Sequence, residues 1–335
     1  LFTDDQGTVD ANCYGSTDLI TPNIDKLAAT GVRFTQAYAH TVCCPARAAL
    51  LTGRHPQRGG VVHCTQGDMN SANGINMALE EVTLAEALKP AGYRTALYGK
   101  WHLGAHRDYG PKKQGFDEFF GIRDGFIDNY KHYFLHGTGF HDLYEGTTPV
   151  KAPGEYFPEL MVQRALKFID QNKNRPFFLY VPHSMGHVPL FVSDKFKGKS
   201  GAGFFVDVMM EVDWSVGQIM KALRKHDLEK DTLFVFTSDN GPWLNYGDHA
   251  GSAAPLREGK GTMFDGGCKE PTLAWWPGTI PANSVCKEPV MTIDLLPTIA
   301  GLIDAKLPDH RIDGKDVWPL FTENEAKSPQ EAYYL

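Results

Sequence analysis

Two acidic pairs, Asp4-Asp5 and Asp239-Asn240, are hard oxygen donors. Three carboxylates and an amide carbonyl, with no Cys or His inside either motif, suit Ca2+ and less well Mg2+, rather than zinc held by sulfur and imidazole. Each pair also has turn composition, Asp-Asp-Gln-Gly and Ser-Asp-Asn-Gly, so a plain turn is the competing reading. A second group, Arg47, Lys100, His102 and His187, can hold an anion or move a proton. His183 lies close enough to His187 to exchange roles with it. The third signal is Cys43-Cys44-Pro45-Ala46-Arg47. Proline opens helices at their first position, which puts Cys43 at a helix N-terminus, where free N–H groups and the dipole favour an anion. Arg47 adds a planar cation one turn on. The same segment is compatible with a low-pKa nucleophilic thiol, or with a buried cysteine pair packed on a small helix.

Such chemistry needs side chains delivered from distant segments, and the patterning supplies the elements. Short apolar runs alternate with helical periodicity, the pattern of an α/β fold. Residues 94–98, 176–181, 232–237 and 272–276 read as strands, the first two of them buried, and residues 160–172, 205–226 and 290–303 as helices. Thr21-Pro22 opens a helix that stops at Gly31, and Thr83 with Glu86 has capping-box spacing before a helix ended by Pro90 and Gly92. The reactive residues follow the apolar runs: Asp4-Asp5 after Leu1-Phe2-Thr3, Lys100 and His102 after 94–98, His183 and His187 after Val181, Asp239-Asn240 after Thr237. Ligands bind beyond the carboxyl ends of strands in open parallel sheets, so these ends predict one shared site. Residues 102–153 are rich in Gly, His, Tyr and Asp with little periodicity, and such long irregular segments are usually functional or mobile. Leu1-Phe2-Thr3 reads as the end of a strand and residues 331–335 as the start of another, which predicts a fragment or a processed core.

The 335 residues carry 33 Lys+Arg against 40 Asp+Glu, a net charge of −7, which excludes a generic binder of nucleic-acid phosphates. A hydrophobic content of 42% supports a real core. No run approaches the roughly 18 consecutive apolar residues that a membrane span needs. Six cysteines in this length are no disulfide scaffold, and Cys13, Cys44, Cys64, Cys268 and Cys286, an odd number beside Cys43, cannot all pair within one chain.

Cys43-x-Pro45-x-Arg47 followed by Leu50-Leu51-Thr52-Gly53-Arg54 resembles the signature of formylglycine-dependent sulfatases, the arylsulfatase-like branch of the alkaline phosphatase superfamily. The likeness runs in order along the chain. It includes Asp4-Asp5-Gln6-Gly7, Thr21-Pro22-Asn23-Ile24-Asp25-Lys26-Leu27-Ala28, Gly99-Lys100-Trp101-His102-Leu103-Gly104 and Gly115-Phe116-Asp117-Glu118-Phe119-Phe120-Gly121. It continues through His187-Val188-Pro189, Ser238-Asp239-Asn240-Gly241, Gly259-Lys260-Gly261 and Ile293-Asp294-Leu295-Leu296-Pro297-Thr298. Ala46 stands where the family most often has Ser, and Asp265 where Glu is commoner.

The resemblance implies an alkaline-phosphatase-like α/β fold, with a mostly parallel mixed sheet flanked by helices on both faces. It implies one large catalytic domain over residues 1–335, with the family's smaller C-terminal subdomain truncated or absent. Cys43 would be oxidised to Cα-formylglycine by a formylglycine-generating enzyme. One hydroxyl of the aldehyde hydrate would attack sulfur and the other would later expel sulfate. One Ca2+ would be held by Asp4, Asp5, Asp239, Asn240 and residue 43. Arg47 and Lys100 would orient the diol, and His102 would take its proton. His187 and Lys260 would bind sulfate, one of them protonating the leaving alcohol. The expected substrate is a sulfate monoester on a carbohydrate. The expected setting is outside the cytosol, periplasmic or secreted, or else lysosomal. A phosphate or phosphonate monoester hydrolase, or a non-catalytic binding protein on the same fold, are the competing functions. Gly125-Phe126-Ile127-Asp128-Asn129-Tyr130 reads as an aromatic platform for a sugar ring or as a surface loop, and His106, His132, His136 and His141 carry no motif.

Overall fold

The computed structural model describes residues 1–64, 76–135 and 139–334. The chain divides into two compact units, one of Leu1–Val42, Met185–Met291 and Val317–Leu335, the other of Cys43–Ser184 and Thr292–Asp316.

The first unit holds a five-stranded mixed sheet in the order Phe2–Thr3, Phe234–Ser238, Thr272–Trp275, Val32–Phe34, Ser284–Cys286. Phe2–Thr3 runs parallel to Phe234–Ser238, and Ser284–Cys286 parallel to Val32–Phe34, while Thr272–Trp275 is antiparallel to both its neighbours. Phe34, Phe236, Leu273 and Ala274 are buried, as central strands covered on both faces require. The helix Phe204–Lys225 buries Phe205, Val208, Met209, Val212, Val216, Ile219 and Leu223, a three-and-four spacing that forms one apolar stripe. It packs on the helix Pro22–Thr30, which also lies on Thr272–Trp275. Thr21 makes no side-chain cap for that second helix. Its first amides are satisfied instead by a buried carboxylate of the long helix: Asn23 N and Ile24 N donate to Asp213 Oδ1 at 2.9 and 2.8 Å.

The second unit has its own five-stranded sheet, ordered Thr148–Pro149, Tyr144–Glu145, Glu118–Ile122, Arg94–Lys100, Phe177–Tyr180. Arg94–Lys100 is parallel to both its neighbours, and the outer hairpin is antiparallel. The helix Phe157–Asn172 covers the two central strands. Phe177–Tyr180 is not the buried strand its apolar run predicts. It is an edge strand, and three of its four residues are only half-buried. Gly99 and Gly121 are directly opposite in register, and a Cβ at Gly121 would overlap the Gly99 carbonyl. The glycine pair lets the strands close up just before Lys100.

The capping box at Thr83 and Glu86 forms as read, with Glu86 N donating to Thr83 Oγ1 at 3.2 Å and Thr83 N to Glu86 Oε2 at 2.8 Å. The late helix is shorter than residues 290–303. Val290–Met291 pairs with Ala37–Tyr38, a 3-10 turn follows, and the helix is Leu295–Leu302. The β-branched run Val290, Thr292, Ile293 favours extended backbone over a helical start. Residues 331–334 do not form a strand.

Candidate active site

In the first unit, strand register builds the acidic cluster. Phe2 pairs with Thr237 and Thr3 with Ser238, so the next residues, Asp4-Asp5 and Asp239-Asn240, leave the sheet side by side. Asp5 then adopts a left-handed backbone, φ 59°, a conformation that costs on the order of 1 kcal/mol or more for a residue with a Cβ. Its N–H donates to Asp239 Oδ1 at 3.1 Å. Asp4, Asp5 and Asp239 are buried, and each offers a carboxylate oxygen within 4.8 Å of the others. Asn240 Nδ2 donates to Asp5 Oδ1 at 2.7 Å and to the Gly241 carbonyl at 2.9 Å, which fixes the amide flip. Asn240 Oδ1 and Asp5 Oδ2 are buried with no hydrogen-bond donor. Crowded anionic oxygens away from water are costly unless a cation compensates them. Hard donors, one neutral carbonyl and unsatisfied lone pairs fit a divalent cation with oxygen ligands.

A lysine and an imidazole stand beside these anions. Lys260 Nζ lies 2.6 Å from Asp5 Oδ1, and His187 Nε2 lies 3.8 Å from Asp5 Oδ2. His187 Nδ1 is within hydrogen-bond distance of the Val188 carbonyl, which can only accept, so Nδ1 carries a proton and Nε2 is the atom left for exchange. The Trp243 ring packs edge-on against His187, centroids 5.6 Å apart, and Lys260 Nζ sits 4.6 Å from its centre. Glu270 is buried behind the cluster, and neither carboxylate oxygen has a donor. Burial first, then the charges of Asp239, Asp5 and Asp10, push its carboxyl well above the ordinary range.

In the second unit, all ten residues of the helix Cys43–Thr52 are buried, and Cys43 is the first of them. Arg47, one turn on, donates from Nη1 to the Lys100 carbonyl at 3.1 Å. Lys100 closes the strand Arg94–Lys100 and is fully buried. His102 comes next but one in a left-handed conformation, φ 56°, its N–H held by the Arg123 carbonyl at 3.1 Å. Cys43 Sγ, Cys64 Sγ and a His102 ring nitrogen lie within 4.8 Å of one another. The two sulfurs are 3.9 Å apart, and Cys44 N–H points at Cys64 Sγ at 3.1 Å. Burial raises the Cys44 thiol above its ordinary range, against the pull of Cys64, Lys100 and Arg47.

Each unit thus assembles its share of the residues read from the sequence: Asp4, Asp5, His187, Asp239, Asn240 and Lys260 in one, Cys43, Arg47, Lys100 and His102 in the other. Of the two rival imidazoles, His187 is against Asp5, and His183 is buried in the other unit. The motif-free histidines have structural contacts. His132 Nε2 meets the Glu155 carbonyl at 3.0 Å, His141 packs on Tyr133, and His106 caps a short turn. His136 lies outside the described residues. In the 125–130 segment, Asp128 Oδ1 accepts from Tyr130 N and Lys131 N, a turn. Its rings pack on other rings, Phe126 on Phe134 and Tyr130 on Tyr156. Trp243 and Glu270 escape the sequence reading, and Cys64 enters it only in the cysteine count. Trp243, three residues beyond Asn240, was open to notice as an aromatic beside a motif. A lone Glu before proline gives no sign of burial, since Glu is almost never buried unless paired.

A family model described as Sulfatase matches residues 1–305. Arylsulfatase A from Bos taurus is 40% identical over 356 aligned residues, covering 100% of this chain and 69% of its own length. N-acetylgalactosamine-6-sulfatase from Canis lupus familiaris is 36% identical, covering 100% of this chain and 67% of its own. The solved structure of Ps i-CgsB in complex with k-i-k-neocarrahexaose superposes with a TM-score of 0.89 at 32% identity, covering 97% of this chain and 75% of that one. The mixed α/β architecture is therefore the alkaline-phosphatase-like one of solved sulfatases. With the match reaching from the first acidic pair past Lys260, the chain belongs to the sulfatase family, and it is an enzyme that hydrolyses sulfate esters.

Proposed function

We propose that the chain removes sulfate from a carbohydrate monoester, with Cys43 converted to Cα-formylglycine and one Ca2+ held by Asp4, Asp5, Asp239, Asn240 and residue 43. The observation that carries this reading is Lys260 and His187 set directly against Asp5 of the buried acidic cluster. Two cationic or protonatable groups beside a cation site repel its ion unless an anionic ligand joins them, and a sulfate ester is such a ligand. The arylsulfatase and N-acetylgalactosamine-6-sulfatase relatives act on sulfated molecules by name, and one solved relative holds a neocarrahexaose, which supports a saccharide substrate.

When bound, the calcium ion supplies Lewis-acid polarisation of the sulfate oxygens, and the hydrated aldehyde supplies the nucleophilic oxygen. The other roles belong to the chain. Lys260 Nζ holds a sulfate oxygen. His187 keeps its Nδ1 proton on the Val188 carbonyl and delivers the Nε2 proton to the leaving alcohol. Arg47, anchored on the Lys100 carbonyl, and the Lys100 ammonium fix residue 43 and offset negative charge. His102 accepts the proton released when sulfate departs. Residues 102–153 are less irregular than their composition predicts, since they contain three strands of the second sheet; the loops flanking the strand Glu118–Ile122, within residues 102–135 and 139–153, shape the sugar pocket. One catalytic domain over residues 1–335 is part of this proposal, because the residues it uses come from both units. So are a formylglycine-generating enzyme as maturation partner and a setting outside the cytosol. No helix among the described residues is long and apolar enough to cross a membrane.

The test pairs intact mass with sulfate release from a panel of sulfated mono- and oligosaccharides, with phosphate monoesters as controls. Conversion of the thiol to the aldehyde removes about 18 Da at residue 43, and active preparations should carry that loss. Full activity with an unmodified thiol would overturn the formylglycine reading, and faster turnover of phosphate esters would overturn the substrate class.

A further inference from the structure

Cys64 is a second thiol beside the cysteine that the proposed mechanism uses, and that mechanism gives it no role. It lies 21 residues along the chain from Cys43, yet the two sulfurs are 3.9 Å apart. A ring nitrogen of His102 completes a triangle in which every donor pair is within 4.8 Å. Two thiolates bound to one zinc at about 2.3 Å with a tetrahedral angle between them are about 3.8 Å apart. The sulfurs already have that spacing. The Cys44 N–H, in the first turn of the helix Cys43–Thr52, points at Cys64 Sγ at 3.1 Å. The Cys43 thiol and the Cys44 N–H pull the Cys64 thiol down, but the Cys44 side chain and burial together raise it above its ordinary range, so a metal must displace its proton; once the thiolate is bound, that N–H supports it as the shell around a metal–thiolate centre does. The acidic cluster offers only carboxylate and amide oxygens, so the two donor sets select different ions.

We propose that, before Cys43 is oxidised, Cys43 Sγ, Cys64 Sγ and the His102 imidazole form a binding site for a thiolate-seeking cation, Zn2+ or Cu+, with one coordination position open. Binding Zn2+ releases two protons, one from each thiol, and involves no change of oxidation state. Conversion of Cys43 to the aldehyde removes one of the three donors. Metal binding and maturation are therefore mutually exclusive, and a bound ion shields the thiol from the maturation enzyme. This last consequence rests on the formylglycine reading; the site itself needs only the thiol.

The experiment uses the full chain with a thiol at residue 43, verified by intact mass, reduced and washed with chelator. Co2+ is added as the probe, in excess Ca2+ so that the oxygen site is filled. One equivalent should produce near-ultraviolet thiolate-to-cobalt charge transfer and the intense visible bands of four-coordinate Co2+, both bleached by Zn2+. Cys64→Ser and Cys43→Ala should each cut the charge transfer to about half and weaken binding by more than the roughly 10–100-fold lost when a group that only supports a ligand is removed. Cys64→His keeps a nitrogen donor and should retain four-coordinate bands with a single thiolate, which guards against misfolding of the serine variant. Cys286→Ser should change nothing. Cobalt bound without charge transfer, or a spectrum indifferent to both Cys64 variants, overturns the proposal. So does a Cys43–Cys64 disulfide whose reduction fails to create the site. These readouts need no turnover, so they stand apart from any failure of the catalytic reading.

Discussion

A methyl group at position 125 would stand 2.7 Å from His102 Nε2 and 2.8 Å from Cε1. Gly125→Ala must therefore displace a buried imidazole whose backbone is already left-handed. A misplacement near 1 Å can cost on the order of 10²-fold in rate, so kcat should fall by about that factor while the unfolding midpoint moves little. Wild-type kcat would remove His102 from the proton path. Trp243→Leu removes the ring against His187 and Lys260, and partly desolvated cation–π contacts are worth roughly 0.5–2 kcal/mol, so kcat/KM should drop about 3- to 30-fold in steady-state assays. Asp142 supplies a pH test. It is buried and accepts from Arg123 N and Asp124 N at 3.1 and 2.9 Å. Burial, opposed by the Asp124 amide, raises its carboxyl from the ordinary 3.8 to about 7. Between those values the folded chain keeps a proton that the unfolded chain has lost, so this group's stabilisation is whole below 3.8 and disappears as pH rises through about 7. The unfolding midpoint of the wild type should fall relative to that of Asp142→Asn as pH rises from 4 to 8; a constant gap would show that Asp142 does not titrate in this window.

The elements place these residues by register and by where strands stop. A two-residue strand, Phe2–Thr3, is enough to set Asp4-Asp5 beside Asp239-Asn240, because its parallel pairing with Phe234–Ser238 fixes the alignment of the residues just beyond both strands. The strand ends were legible because apolar runs and the polar groups after them differ sharply in composition. Pairing order was not legible, since a run such as Phe177–Tyr180 reads the same at an edge as at a centre. The cap on the helix Pro22–Thr30 was illegible for a related reason: its acceptor, Asp213, is 190 residues from Asn23. The capping box of the helix Leu84–Leu88 is local and was readable. Thr83 Oγ1 also donates to the Gln114 carbonyl at 2.8 Å, so Thr83→Ala should cost about 1–2 kcal/mol in urea unfolding. A loss under a few tenths would mean that the cap is not supporting the unit.

At the scale of the molecule, each unit is stitched from segments far apart in sequence, and the −7 net charge includes the acidic cluster. Filling that cluster with Ca2+ should stabilise the chain by mass action, about 2.7 kcal/mol at a hundredfold excess over Kd. Differential scanning should show the midpoint falling by a few degrees, roughly, on chelation and recovering with Ca2+ better than with Zn2+. The opposite order would reject the oxygen-ligand assignment.

By itself, the chain order established the α/β class, the sulfatase signature, and which residue types could hold an ion, an anion or a proton, because motif chemistry and hydrophobic period are local properties. Tertiary structure alone decided that Trp243 braces His187 and Lys260, that Glu270 is buried behind the carboxylates, and that Cys64 reaches Cys43. Those facts depend on burial and on contacts across long sequence separations. No window of neighbouring residues contains them.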